Sequence, residues 1–273
     1  MSIDFEVSPQ MKRVWSIELD LLQILLSVCK KYNLKIYASG GTMLGAVRHQ
    51  GFIPWDDDID MMMMRDDYEK LCIIAPHEFK NPYFFQTEES DPGSLRGHAQ
   101  LRNSNTTAIL EIEKNKNCKF NQGIFIDIFP LDSVIENKFL FTMQYFEALL
   151  FRKLSTAYGI FFERKNIFRL KKIPKNIFFN KFIKICKKYN YKKDTKMVST
   201  LSFIFNKKNH QKYRSDFNEI VWMPFENIEI PVVKDYENAL NQEFGNWHEL
   251  IVGTSNHKDI FFDTENSYRM YLK

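Results

Sequence analysis

The stretch that decides the fold covers residues 34–64 and reads LKIYASGGTMLGAVRHQGFIPWDDDIDMMMM. It opens with a short β-prone run, LKIYAS, which ends at Gly40 and Gly41. The next segment, TMLGAVR, can form a short helix, and GFIPW is typical of a loop that leads into a second strand over residues 58–63. The pattern therefore predicts a strand, a glycine turn, a short helix and an acidic strand in succession.

The acidic strand carries two carboxylates with a spacing suited to a metal. Asp58 and Asp60 are two positions apart, and because side chains alternate across a strand, both would point from one face. Magnesium is held by one or two carboxylates, while water and substrate phosphate complete its octahedron. A calcium loop is disfavoured, because the sixth position from Asp56 is Met61 and the twelfth is Asp67. Taken alone, this pair is better explained as a solvated acidic turn, and only its neighbours favour a metal site.

A third carboxylate stands in the apolar run GIFIDIFP, residues 123–130. Alternation places Asp127 on the same strand face as Phe125 and Phe129. An ionised carboxylate is costly to bury alone, so Asp127 requires a partner such as a cation or a metal. A structural salt bridge and a metal site shared with Asp58 and Asp60 both meet that requirement.

The glycine turn offers a place for phosphate. Gly40, Gly41 and Thr42 lie between the first strand and the short helix, where free N–H groups and the helix dipole favour an anion. A Gly-Gly turn alone is a weak signal, and it follows neither the dinucleotide-binding pattern nor the P-loop pattern. Standing before an acidic strand, it suits a metal-dependent nucleotide site.

Outside this region the patterns divide the chain into a core and an insert. Ser8 and Pro9 predict the start of a first helix that ends near Lys31. Residues 81–112 favour an antiparallel extension of the sheet, and 136–220 favour amphipathic helices broken near Pro174. From residue 221 onward we expect strands, a helix and a loosely structured end. The predicted division is a catalytic core of 1–134 with 221–273, interrupted by a helical insert of 135–220.

Charge follows the same division. Residues 135–220 contain 20 Lys and Arg against 6 Asp and Glu, a net +14, whereas the remainder carries 18 against 28, a net −10. Such an insert could meet an anionic partner or membrane surface, or it could be a solvated helical face. Candidate contact residues are Lys171, Lys172, Lys187 and Lys188.

The sequence also indicates the compartment. Its four cysteines form no CxxC pair, so neither a zinc site nor a disulfide framework is indicated. No signal peptide or apolar run of membrane-spanning length is evident. We expect a cytoplasmic protein, with the inner face of the membrane as an alternative.

The block ASGGTMLGAVRHQGFIPWDDDIDMMMMRDDYEKL resembles the signature of the LicD family, which includes bacterial phosphocholine transferases and is similar to the fukutin-related proteins. GIFIDIFPLD and MPFENIEIPVVKDYENALNQEFGNW resemble its later blocks, so the likeness covers about residues 20–134 and 221–257. It implies an α/β or α+β fold, with a nucleotidyltransferase-like mixed sheet flanked by helices. By that resemblance the catalytic and metal-binding residues are Asp58, Asp60 and Asp127, and the glycine turn is Gly40 and Gly41.

The implied activity is a magnesium-dependent phosphotransferase, with manganese as an alternative metal. It would move phosphocholine from CDP-choline, or a similar group from another CDP-alcohol, to a hydroxyl of a cell-surface glycan or its lipid-linked precursor. The expected acceptor glycan is lipopolysaccharide or teichoic acid. The alternatives are a nucleotidyltransferase that uses a nucleoside triphosphate, and a noncatalytic protein that binds an anionic ligand. Nucleic acid is disfavoured, because the insert lacks an RNA-binding or zinc-finger signature.

Further polar residues are weaker candidates. Arg48, at the end of the short helix, and Arg102, in LRNSNTT, could reach a phosphate, and each could equally form a structural ion pair. Trp55 could stack on a base or belong to the core. His257 with Lys258 is a weak binding candidate by resemblance, and no partner can be assigned to His98 from the sequence.

Overall fold

A mixed sheet flanked by helices forms the core, as the sequence predicts. The computed structural model describes residues 5–114, 118–164, 176–192, 194–203, 211–252 and 260–272. The helices are α1 (Pro9–Lys31), α2 (Gly40–His49), α3 (Arg65–Glu78), α4 (Lys138–Arg164), α5 (Ile177–Cys186) and α6 (Tyr236–Phe244). The strands are β1 (Tyr37–Ala38), β2 (Asp60–Met64), β3 (Tyr83–Gln86), β4 (Ala99–Asn103), β5 (Thr107–Leu110), β6 (Ile124–Val134), β7 (Met197–Ser199), β8 (Lys212–Tyr213), β9 (Ile220–Phe225), β10 (Ile228–Val233) and β11 (Ile260–Asp263).

The longest strand, β6, organises the sheet. The strand order is β1-β2-β6-β4-β3, in which β2 runs parallel to β6 and the other neighbours are antiparallel. All eleven residues of β6 are buried, because α1 and α3 both contact this strand. The pairs β9–β10 and β5–β11 form two separate two-stranded sheets. In the described ranges, every helix is too short or too polar to cross a bilayer.

The first helix has the predicted bounds. Ser8 Oγ accepts a hydrogen bond from the Met11 N–H at 3.1 Å, and Pro9 occupies the first turn, where its missing N–H costs nothing. Leu21, Leu22 and Leu25 are fully buried in the main hydrophobic core. The apolar face of α1 therefore closes the core.

Around the glycine turn, the observed elements start at different residues from those predicted. Helix α2 begins at Gly40 rather than Thr42, and β1 contains only Tyr37 and Ala38. Strand β2 begins at Asp60, where pairing with β6 begins, so Asp58 precedes the strand. The alternation rule therefore does not fix the direction of the Asp58 side chain.

The insert is not purely helical. Helices α4 and α5 are present as predicted, but β7 pairs with the end of β6, opposite residues 132–134, and β8 pairs with β7. The expectation of a loosely structured C-terminal end is wrong for residues 260–272, because β11 pairs with β5 and a 3₁₀ turn follows. Five residues singled out from the sequence lie outside the described ranges: Lys171, Lys172, Pro174, His257 and Lys258.

A buried ion pair ties α3 to β6. Arg65 Nε and Nη2 each donate to a carboxylate oxygen of Asp132 at 2.7 Å, and both side chains are almost completely buried. The Asn190 amide, in the turn after α5, donates to Asp132 Oδ1 at 2.6 Å. The carboxylate thus joins α3, the sheet and the insert.

Replacing Asp132 by Asn should lower the free energy of unfolding by about 3–5 kcal/mol, because Arg65 would stay buried without its counter-charge. Chemical denaturation followed by circular dichroism measures this loss. As a control, Glu219→Gln breaks the exposed pair with Lys234 and should leave stability unchanged. Equal losses in the two variants would contradict a special role for the buried pair.

Candidate active site

The parallel strands β2 and β6 bring two of the predicted catalytic carboxylates side by side. Asp60 and Asp127 are register partners, and the Asp127 N–H donates to the Ile59 carbonyl at 2.9 Å. Partners on neighbouring strands project to the same face of the sheet. The sequence could not show this register, since 66 residues separate the two aspartates.

Three more carboxylates are grouped in the loop before β2. Oxygen atoms of Asp56, Asp57 and Asp58 lie within 4.8 Å of one another. The Trp15 indole N–H donates to the Asp56 carbonyl at 3.1 Å, which fixes this loop against α1. Asp58 therefore lies with its two neighbours in sequence, a grouping that the spacing argument did not anticipate.

The electrostatics connect this loop with the strand pair. Burial raises the pKa of Asp60, and the negative charges of Asp58, Asp127 and Asp56 raise it further. Each of these carboxylates is therefore close enough to disfavour the ionisation of Asp60. Such mutual repulsion is what a bound cation would relieve.

The glycine turn adjoins the acidic residues. Gly40 has a φ of +51°, in the left-handed region that favours glycine. A Cβ atom on Gly41 would overlap the Asp56 carboxylate, so glycine allows that close approach. The Thr42 hydroxyl accepts a hydrogen bond from the Asp60 N–H at 2.8 Å. Thr42 thus positions Asp60 through its side chain, and the N-terminus of α2 lies beside the carboxylates.

Glu18 of α1 is a member of this acidic site that the sequence analysis missed. It is 1% exposed, and its Oε2 has no hydrogen-bond partner among the described residues. Burial raises its pKa, followed by the charges of Asp58, Asp57 and Asp56. The available signal was a carboxylate on the apolar face of the helix, four residues after Val14 and three before Leu21.

His98 is the second residue that the sequence left without a role. Its Nε2 lies 3.2 Å from Asp127 Oδ1, and its ring packs against Phe129 with centroids 4.6 Å apart. Burial lowers the pKa of His98, although the Asp127 charge acts in the opposite direction. The imidazole is therefore placed to fix the orientation of the Asp127 carboxylate.

The two candidate arginines make internal contacts. Arg48 Nη1 donates to the carbonyls of Trp247 and Glu249, at 2.7 and 3.1 Å, and so ties α2 to the segment after α6. Arg102 is fully buried, and it donates to Gln86 Oε1 and the Gly123 carbonyl at 2.6 Å, and to Gln100. Burial lowers the pKa of Arg102 to about 9. These contacts favour structural roles, and phosphate binding by either arginine stays a prediction.

A lysine from the insert reaches the same region. Lys212 Nζ lies 3.1 Å from Glu243 Oε2, and a Cβ atom on Gly40 would lie 3.8 Å from the other oxygen of Glu243. Because Glu243 lies beside Gly40, the charge of Lys212 is close to the α2 N-terminus. The insert therefore supplies a cation to the edge of the candidate site.

The donor set fits a hard divalent cation. The grouped ligands are carboxylate oxygens, which suit magnesium and manganese better than softer metals. Burial and neighbouring carboxylates raise the pKa values of both Glu18 and Asp60, so their ionisation is costly unless a cation lies nearby. Among the described residues, the carboxylate oxygens that converge within 4.8 Å belong to Asp56, Asp57 and Asp58. Metal binding by Asp58, Asp60 and Asp127 together stays a prediction.

Comparison with known proteins gives one broad match and two local ones. Residues 33–175 match the family described as LicD/FKTN/FKRP, nucleotidyltransferase domain. The chain is 25% identical over 241 residues to the lipopolysaccharide cholinephosphotransferase LicD of Haemophilus influenzae, covering 85% of this chain and 89% of that protein.

The local matches are to uncharacterized proteins of Rickettsia. The protein from R. prowazekii is 52% identical over 46 residues, which cover 17% of each chain. The protein from R. typhi is 57% identical over 50 residues, which cover 18% of this chain and 16% of that one. They show similarity over a short segment only.

Asp60→Asn should raise the melting temperature in the absence of divalent cations. The raised pKa of Asp60 means that the folded state loses stability as pH rises above the unfolded-state pKa, and Asn removes this loss. Near neutral pH we expect a gain of about 2–4 °C for each kcal/mol of repulsion removed.

Thermal unfolding in EDTA measures the gain in melting temperature of Asp60→Asn. The same measurement with added Mg²⁺ shows how far the metal stabilises each protein. Mg²⁺ should stabilise the unmodified protein and have little effect on Asp60→Asn. Glu229→Gln, which changes an exposed carboxylate on β10, should respond to Mg²⁺ as the unmodified protein does. Equal stabilisation of all three proteins would contradict a role for Asp60 in binding the metal.

Proposed function

The chain belongs to the LicD/FKTN/FKRP nucleotidyltransferase-domain family, and from this premise we propose that it transfers phosphocholine, or a similar phospho-alcohol, to a lipopolysaccharide-type glycan. The observation that carries the proposal is the similarity to the Haemophilus cholinephosphotransferase along 89% of that protein's length. The acidic site supports it, since Asp60 and Asp127 lie beside each other next to the glycine turn.

The proposed donor is CDP-choline or another CDP-alcohol. Its diphosphate would lie at the N-terminus of α2, where the N–H groups of Gly40, Gly41 and Thr42 are available and the helix dipole is positive. Lys212 could balance part of the phosphate charge, because its contact with Glu243 brings it to this end of α2. The donor would then be held mainly by the main chain.

The proposed metal ligands are Asp58, Asp60 and Asp127, with magnesium as the preferred ion. When bound, such an ion would neutralise charge on the donor phosphates and on the leaving group. The residues themselves hold the carboxylates in place: Thr42 fixes the Asp60 main chain, and His98 orients Asp127. Glu18 lies buried close to these carboxylates, and burial together with their charges raises its pKa and favours its neutral form.

The proposed reaction is a substitution at phosphorus. The acceptor hydroxyl would attack the phosphorus that bears choline, so that a new oxygen–phosphorus bond forms and the bond to the cytidine-linked phosphate breaks. CMP leaves, and the hydroxyl proton passes to a base. Asp127 is our candidate for orienting or deprotonating the hydroxyl, since His98 holds one side of its carboxylate.

Product analysis should distinguish this reaction from nucleotidyl transfer. With Mg²⁺, CDP-choline and a lipopolysaccharide-type or teichoic-acid-type acceptor, we expect release of CMP, because attack occurs at the phosphorus remote from the nucleoside. Chromatography of the nucleotides measures CMP, and a separate assay measures pyrophosphate. Pyrophosphate release from CTP, with no CMP from any CDP-alcohol, would instead support a nucleotidyltransferase.

Three single substitutions test the assigned carboxylates. Asp58→Asn, Asp60→Asn and Asp127→Asn should each lower kcat by about 1000-fold or more, because each removes a charge that binds the metal. Circular dichroism should show the same fold, since Asn has nearly the same volume. Glu229→Gln is the matched control and should keep full activity. Any of the three variants with near-normal turnover at saturating Mg²⁺ would remove that residue from the proposed ligands.

A further inference from the structure

One buried carboxylate has no task in the reaction proposed above. Glu18 of α1 is 1% exposed, and its neighbours on the helix, Val14, Leu21 and Leu22, are fully buried. Its Oε2 has no hydrogen-bond partner among the described residues, and none of the ion pairs between those residues includes it. Buried carboxylates are normally paired with a cation or bound to a metal, so the groups around Glu18 indicate its partner.

Contacts of α1 with the acidic loop, residues 56–58, fix the position of Glu18. Three residues before it, Trp15 donates its indole N–H to the Asp56 carbonyl at 3.1 Å, and the Trp15 ring stacks on Phe52. Residues three apart are neighbours on one face of a helix. The Glu18 side chain therefore leaves α1 on the face that is held against the acidic loop.

The same part of α1 also approaches the strand that carries Asp127. Val14, four residues before Glu18, packs in one apolar cluster with Ile124 and Phe125 of β6. Burial raises the pKa of Glu18, and the charges of the acidic loop and of Asp127 raise it further. Glu18 is therefore close to both groups of carboxylates.

Packing alone is a poor explanation for a carboxyl group at this position. Met or Leu would fill the space without a polar atom, and Gln would keep the shape without the acidity. Burial and the neighbouring carboxylates both make an ionised Glu18 costly. A divalent cation reverses this balance, because it attracts every carboxylate of the group.

We propose that Glu18 is a further carboxylate of the cation site, and that it holds the divalent ion, or a water bound to the ion, together with Asp58, Asp60 and Asp127. This inference rests on the metal site of the proposed function, to which it adds a residue from a different element. Hard divalent cations take several oxygen ligands, and groups that hold those ligands also contribute to affinity. The ion would then tie the first helix to β2 and β6.

Manganese binding by the full chain, without donor or acceptor, tests this role independently of activity. Electron paramagnetic resonance of free Mn²⁺ gives the dissociation constant, and competition with Mg²⁺ shows whether both ions share the site. Glu18→Gln keeps the side-chain volume and should weaken Mn²⁺ binding by about 10- to 100-fold. Glu18→Met has a similar volume and no oxygen, and it should weaken binding by the same factor.

The matched control lies two residues further along the same helix. Asp20→Asn removes one negative charge from the exposed side of α1 and should leave Mn²⁺ binding unchanged. Asp60→Asn is the reference for the loss of a proposed ligand. Circular dichroism and the melting temperature in EDTA show that each variant is folded.

Three results would overturn the inference, and they can be told apart. If Asp60→Asn loses Mn²⁺ while both folded Glu18 variants bind it as tightly as the unmodified protein, Glu18 is a neutral structural acid and the proposed metal site stands. If Asp20→Asn weakens binding as much as Glu18→Gln, only the net charge of α1 matters. If the unmodified protein binds no Mn²⁺, the proposed metal site itself fails, and the role of Glu18 fails with it.

Discussion

Repulsion between neighbouring carboxylates is the main electrostatic constraint that the fold of this protein must meet. The pairing of β2 with β6 places Asp60 beside Asp127, and the preceding loop adds Asp58. Glu18 approaches from α1 and is almost completely buried. Like charges at such positions interact strongly, because the interior screens them far less than water does. The fold must therefore hold these groups together against their own electrostatics.

The scaffold does so mainly through the main chain. The Ser39 N–H donates to the Asp60 carbonyl, while Thr42 accepts from the Asp60 N–H. Trp15 holds the Asp56 carbonyl, and its ring stacks on Phe52 with centroids 4.5 Å apart. Because these contacts are made to main-chain atoms, they position the acidic residues without involving the carboxylates themselves. That combination is what a site for a divalent cation requires.

Local patterns in the sequence predicted much of this arrangement. The cap at Ser8 and the apolar spacing gave the bounds of α1, and the glycine turn followed by an acidic strand gave the order of the site elements. Two kinds of feature were missed. Strand pairing between distant segments, such as β11 with β5, has no local signal. The approach of His98 to Asp127 likewise depends on the register of β4 with β6, which single-strand alternation cannot supply.

The length of β6 has a geometric consequence. Asp127 is the fourth of its eleven residues, whereas residues 132–134 at its end pair with β7, and α4 begins four residues beyond the strand. At about 3.3 Å per residue, the seven steps from Asp127 to Val134 span roughly 23 Å of continuous strand. This strand is a rigid spacer between the carboxylates and the α4–α5 pair. The strand therefore sets the distance between the carboxylates and the α4–α5 pair, so any surface that α4 and α5 contact is held at a fixed distance from the acidic site.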